Sequence, residues 1–206
     1  MNTTVDKNET KPRRKIKISF NAPVTLIFSA MCLVATILGL LSDGAITRTV
    51  FMIYHSSLRN PMTYIRLFSH VLGHSGWLHF IGNISYILLL GPHLEEKYGS
   101  VVLVETIGIT ALVTGIIHYA FFLNIGLCGA SGVVFAFILL SSFASMKEGE
   151  IPITFILIAV IYIGQELYNG LFVKDNISQL GHIIGGIVGS VIGFTLNKKT
   201  AKKASV

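Results

Sequence analysis

From Ala22 to Leu41 the chain reads APVTLIFSAMCLVATILGLL, twenty residues without a charge. A helix of that length rises about 30 Å, the thickness of a bilayer's hydrocarbon core. A cleaved leader has similar flanks but a shorter apolar centre, and further apolar runs follow here, so the stretch is read as a retained first transmembrane helix. Basic residues crowd its N-terminal side: Lys7, Lys11, Arg13, Arg14, Lys15 and Lys17 all precede it. Residues 1–19 are polar and basic and are expected to form a flexible N-terminus.

The chain of 206 residues is 52% hydrophobic and 13% charged, with mean hydropathy +0.69, too oily for an ordinary soluble domain. A net charge of +6 could suggest nucleic acid, but the basic residues form no patch with interleaved aromatics, so no nucleic-acid partner is expected. Five more spans read at about 77–92, 101–122, 128–146, 151–170 and 179–196, with Gly91-Pro92 and Lys147-Glu148-Gly149-Glu150 as turns. The connector 42–76 is no simple polar loop, because Pro61 to His70 mixes aromatic and polar side chains. It is expected to dip partway into the membrane, sheltered by protein. The expectation is therefore an all-α membrane protein: six transmembrane helices within residues 20–197, a membrane-embedded first loop, and a basic tail at 198–206. Six spans put both termini on one side, where twelve Lys and Arg fall, against four (Arg48, Arg59, Arg66 and Lys174) on the other. The positive-inside rule then places both termini in the cytoplasm of a multi-pass cell-membrane protein. Cys32 and Cys128 lie in apolar context without metal-ligand or framework spacing; they read as buried thiols, with a disulfide left open.

With that topology the second, fourth and sixth spans run from outside to inside, and each carries polar residues near its start. His79 and Asn83 lie in the first turns of the second, Ser131 opens the fourth, and His182 lies in the first turn of the sixth. All four then fall within roughly the outer 10 Å of the bilayer. Intramembrane polar residues are costly and usually functional.

These residue types suit acyl transfer. A serine hydroxyl attacks once a base within hydrogen-bond reach takes its proton, and a histidine titrates near working pH. Glu105 belongs to the inner end of the third span, and Glu166 at the outer end of the fifth is the one carboxylate placed to be a third member. A Ser131–His182 dyad is expected rather than a triad. His79 and Asn83, four residues apart on one helical face, can donate to an oxyanion together with backbone N–H groups at the helix start. Gly181, Gly185, Gly189 and Gly193 recur every four residues, a small-residue stripe that lets a neighbouring helix approach; the fourth span is its natural partner. No cofactor or metal is implied. His70, His74 and His79 lack a carboxylate at ligand spacing, and Glu95 reads as an anchor at a helix terminus.

Together these motifs resemble the rhomboid family of intramembrane serine proteases, in its compact six-span bacterial form. Gly129-Ala130-Ser131-Gly132 resembles the family's GxSG motif and Gly181-His182 its GH. His79-Phe80-Ile81-Gly82-Asn83 matches HxxxN, preceded by His70 and His74. Gly91 to Gly99 matches the structural GxxxExxxG with Glu95 at its centre, and Arg66 falls where the first loop carries an arginine. Two positions depart: Phe135 stands where a tyrosine commonly packs under the histidine, and Ile65 where a tryptophan is frequent. The resemblance implies a rhomboid-like bundle acting on membrane proteins with one transmembrane helix. They would be cut near the outer face after lateral access past the fifth span. The competing readings are a catalytically silent relative that binds membrane clients, and a small transporter.

Overall fold

The computed structural model describes residues 20–144, 150–172 and 179–204. The described residues form eight α-helices: α1 Pro23–Leu41, α2 Ala45–Val50, α3 Pro61–Ser69, α4 Trp77–Tyr98, α5 Ser100–Phe121, α6 Ser131–Ser142, α7 Ile153–Phe172 and α8 Gln179–Ala204. One turn of 3-10 helix, His70–Leu72, extends α3. The basic N-terminus, Lys147 with its neighbours Glu148 and Gly149, and Lys174 lie outside the described residues.

Polarity is inverted relative to a soluble protein. Leu78, Leu41, Phe121, Leu89 and Val101 are exposed, whereas Thr36, Arg66, His70, His74, Asn83, Glu95, Thr110, Thr114 and His118 are buried. Apolar side chains outside and polar groups gathered inside suit hydrocarbon as the solvent. α1, α5 and Gln179–Asn197 of α8 are long and apolar enough to cross a membrane, while α6 and Ile153–Tyr162 of α7 are shorter apolar helices.

α6 is the axis of the bundle. Residues 132–134 and 136–140 are all buried, wrapped by α8, α4 and α5. Its closest neighbour is α8, where the glycine stripe removes every side chain that would hold the helices apart. A Cβ on Gly185 would sit 2.0 Å from the Gly132 carbonyl oxygen, and one on Gly189 would sit 2.2 Å from that of Ala136. The predicted pairing of the stripe with the fourth span is thus the tightest contact of the fold.

Two expected boundaries change. Gly91-Pro92 is not a turn: α4 runs through Pro92 to Tyr98, and the break falls at Gly99, whose φ of +87° favours glycine. The reason is tertiary. A Cβ at Gly91 would meet the Thr25 side chain at 2.6 Å, and Glu95, one turn further on, ties α4 to α1. The Glu95 carboxylate accepts from Val24 N at 2.9 Å, Thr25 N at 3.0 Å, Thr25 Oγ1 at 2.9 Å and Ser100 Oγ at 2.8 Å. α1 has no side-chain cap of its own, so a carboxylate borrowed from α4 satisfies its orphan N–H groups and meets the positive end of its dipole. The second change concerns the fourth segment: residues 128–130 are non-helical and α6 begins at Ser131.

The connector 42–76 is ordered from within. Arg66, buried in its middle, donates to the Tyr54 hydroxyl and to Ser56 Oγ at 3.0 Å, and lies 4.2 Å from the centroid of the Tyr54 ring. Asn60 caps α3 by accepting from Met62 N at 3.0 Å. Cys32 and Cys128 are both free thiols.

Candidate active site

The loop before α6 is held from outside its own sequence neighbourhood. Ile53 and Leu127 exchange two backbone hydrogen bonds of 2.9 Å, and Gly129 N donates to the His70 carbonyl at 2.9 Å. Gly129 takes a φ of +136°, a region L side chains rarely adopt, and the chain then enters α6 at Ser131. The connector is therefore the mount for this loop. Sequence reading missed it because Ile53 and Leu127 are plain apolar residues without a motif. The threonines Thr106, Thr110 and Thr114 did carry a signal, an i,i+4 polar face on α5. All three are buried, and Thr114 Oγ1 stands 3.2 Å from His70 Nε2.

Ser131 and His182 flank the α6–α8 crossing. Beside Ser131, a Cβ on Gly132 would lie 3.4 Å from the carbonyl oxygen of Gly181, the residue before His182. One turn along α6, the Phe135 ring lies flat on the His182 imidazole, with centroids 4.5 Å apart and planes 5° apart. An aromatic face under the imidazole survives the change from tyrosine to phenylalanine noted in the sequence.

His79 and Asn83 converge on the same loop from α4. A Cβ at Gly129 would lie 2.7 Å from His79 Nε2 and 3.6 Å from Asn83 Nδ2, so a side chain there would fill the space these two nitrogens face. Asn83 is buried, and its Nδ2 has no hydrogen-bond partner among the described residues. The His79 tautomer follows from its other nitrogen. Nδ1 is approached by Ser75 N–H at 3.5 Å and by Ser75 Oγ at 3.1 Å; as an acceptor, it leaves the proton on Nε2, aimed at Gly129. His74 packs edge-on against His79 with centroids 5.0 Å apart. Burial pushes the His74 imidazole down to about 4, so a neutral ring supports His79. Its Nδ1 donates to the Leu72 carbonyl at 3.1 Å.

The structure thus brings Ser131, His182, His79 and Asn83 to one end of the bundle. The side chain of Glu166, the conceivable third member, lies outside those described. Glu105 is exposed beside α8 in a groove with Val191 and Thr195, apart from this group. His118 is anchored to the Ile125 carbonyl at 2.9 Å and stacks on Phe122.

An all-helical bundle with an apolar exterior, polar groups gathered inside and several helices of spanning length defines a multi-pass membrane protein. This chain belongs to the rhomboid family, whose Rhomboid domain model matches residues 61–199. It is 26% identical over 187 residues to the "Rhomboid protease GlpG" of Haemophilus influenzae, covering 85% of this chain and 91% of that protein. It is also 29% identical over 161 residues to "Rhomboid-related protein 2" of Mus musculus, covering 68% of this chain and 53% of that one. With "Rhomboid-related protein 1" of Caenorhabditis elegans it shares 27% identity over 141 residues, 64% of this chain and 39% of the relative.

Proposed function

We propose that this protein is an intramembrane serine endopeptidase working through a Ser131–His182 dyad. The observation that carries the reading is the convergence of three helices on one spot. The α6–α8 crossing sets Gly132, next to Ser131, against Gly181, next to His182, and His79 and Asn83 of α4 face the backbone just before the serine. In the reaction, Ser131 Oγ attacks the scissile carbonyl while His182 takes its proton. The developing oxyanion accepts from His79 Nε2–H and Asn83 Nδ2, helped by backbone N–H groups at the start of α6. His182 then protonates the leaving amine, and water, activated by the same imidazole, releases the acyl group from Ser131.

In this reading α1, α4, α5, α6, α7 and α8 are the six spans of a domain covering residues 20–197. The basic segments 1–19 and 198–206 lie on the cytoplasmic side of the cell membrane. The substrates are single-span membrane proteins cut near the outer face, since Ser131, His182, His79 and Asn83 occupy outward helix ends. The relative named a rhomboid protease supports the activity.

The test is cleavage of a labelled single-span substrate by purified wild type, Ser131→Ala and His182→Ala in liposomes. Cleavage by wild type that disappears in both folded variants supports the dyad. Cleavage persisting in Ser131→Ala refutes it.

A further inference from the structure

Phe135 is the half-buried residue in an otherwise buried run from Gly132 to Leu140 of α6. One face of its ring carries the His182 imidazole. Tyr162, from α7, stands nearly perpendicular to the same ring, with centroids 5.3 Å apart and planes at 86°. Three rings on three helices therefore stand in series, Tyr162 to Phe135 to His182. They line one side of an apolar cavity of about 220 Å³, which Phe155 and Phe194 also line. An empty space beside a ring stack leaves room for the rings to swing, so the edge of Tyr162 matters to where Phe135 rests.

Among the described residues α7 leans on α8 and less on α6. Where it does approach α4, the Tyr162 phenol meets that of Tyr86. The residue that braces the ring under the imidazole thus belongs to a third helix, one that carries neither Ser131 nor His182.

We propose that Tyr162 is a positioning residue for His182: its ring fixes Phe135, and Phe135 fixes the plane of the imidazole, so the seating of α7 sets the efficiency of the dyad. The proposal rests on the Ser131–His182 reading and deepens it. It makes the dyad fully competent only when α7 is packed against α6, whether the site is empty or occupied. An edge-to-face ring contact corresponds to at most about tenfold in an equilibrium, which bounds the effect.

A small fluorophosphonate probe, which phosphonylates a serine with loss of fluoride, reads the chemistry without requiring a substrate helix to enter. The maximal rate of Ser131 labelling and the half-saturating probe concentration are measured in detergent for wild type, Tyr162→Leu and Tyr162→Phe. Tyr162→Leu is expected to lower the maximal rate by roughly three- to tenfold while the half-saturating concentration stays unchanged. Tyr162→Phe keeps the ring and is expected to restore the rate to within about twofold of wild type. Should leucine lower the melting temperature, Tyr162→Met deletes the ring with a longer side chain and is held to the same expectation. An unchanged maximal rate in a folded ring-deleted variant overturns the proposal, as does an equal loss in Tyr162→Phe. Failure of wild type to label at Ser131 would overturn the dyad itself, so the two failures are distinguishable.

Discussion

Asn83 shows what a single residue contributes. Its amide is buried near the N-terminal end of α4 with Nδ2 unpartnered among the described residues, an arrangement that costs stability in the resting protein. Such a cost is understandable where the donor is needed only when negative charge develops nearby. Replacing Asn83 with Ala should lower kcat by about 10²-fold with KM little changed, because the lost donor acts on the transition state. The melting temperature should not fall, since the side chain satisfies no acceptor in the described structure. An equal rise in KM instead would assign Asn83 to substrate binding. The residue types at 79, 83, 131 and 182 were readable from the sequence because each has chemistry out of place in an apolar segment. Ser75, which sets the His79 tautomer, was not: a serine in a polar connector carries no such signal.

At the scale of elements, the α6–α8 pair fixes the spacing of Ser131 and His182. A methyl group at Gly185 would meet the Gly132 carbonyl oxygen at 2.0 Å, whereas one at Gly186 would meet only the Leu139 side chain at 3.6 Å. Gly185→Ala should therefore destabilise the protein by about 1–3 kcal/mol or more and abolish labelling of Ser131. Gly186→Ala should leave the melting temperature nearly unchanged, and equal melting temperatures for the two would contradict the packing. The α1–α4 pair depends on Glu95 in a different way. Glu95→Gln removes the charge from the α1 N-terminus and one acceptor from Thr25, an expected loss of about 1.5–3 kcal/mol measurable by thermal denaturation in detergent. The period of four in α8 announced its close partner in the sequence. The course of α4 through Pro92 was hidden, because a proline's local preference is overridden there by the contacts of Gly91 and Glu95 with α1. The start of α6 at Ser131, rather than at Cys128, depends on the bonds from Ile53 and His70 to the loop, which lie far away in sequence.

Among the described residues, Arg66, His70, His74, His118 and a row of threonines lie inside beside the apolar core, while large apolar side chains such as Leu41, Leu78 and Leu89 cover the outside. Composition alone made that legible, because a chain so apolar has few other solvents. Orientation is a further matter, resting on the uneven distribution of lysine and arginine. Protease protection of tagged protein in sealed inverted vesicles should show both termini digested from the former cytoplasmic side, and protection of either terminus would contradict six spans with this orientation. The connector between α1 and α4 gives the molecule its mount for the loop before Ser131, and α7 lies against α8 and α6. Both follow from contacts between segments distant in sequence, which no local pattern encodes. In the proposed reaction Ser131 is a nucleophile made reactive by His182. This role is tested most directly by incubating the folded protein with a fluorophosphonate and locating the adduct by mass spectrometry. One adduct is expected, on Ser131, formed by wild type and lost in a folded His182→Ala variant; labelling that persists without His182, or no adduct on Ser131 in wild type, would refute the dyad.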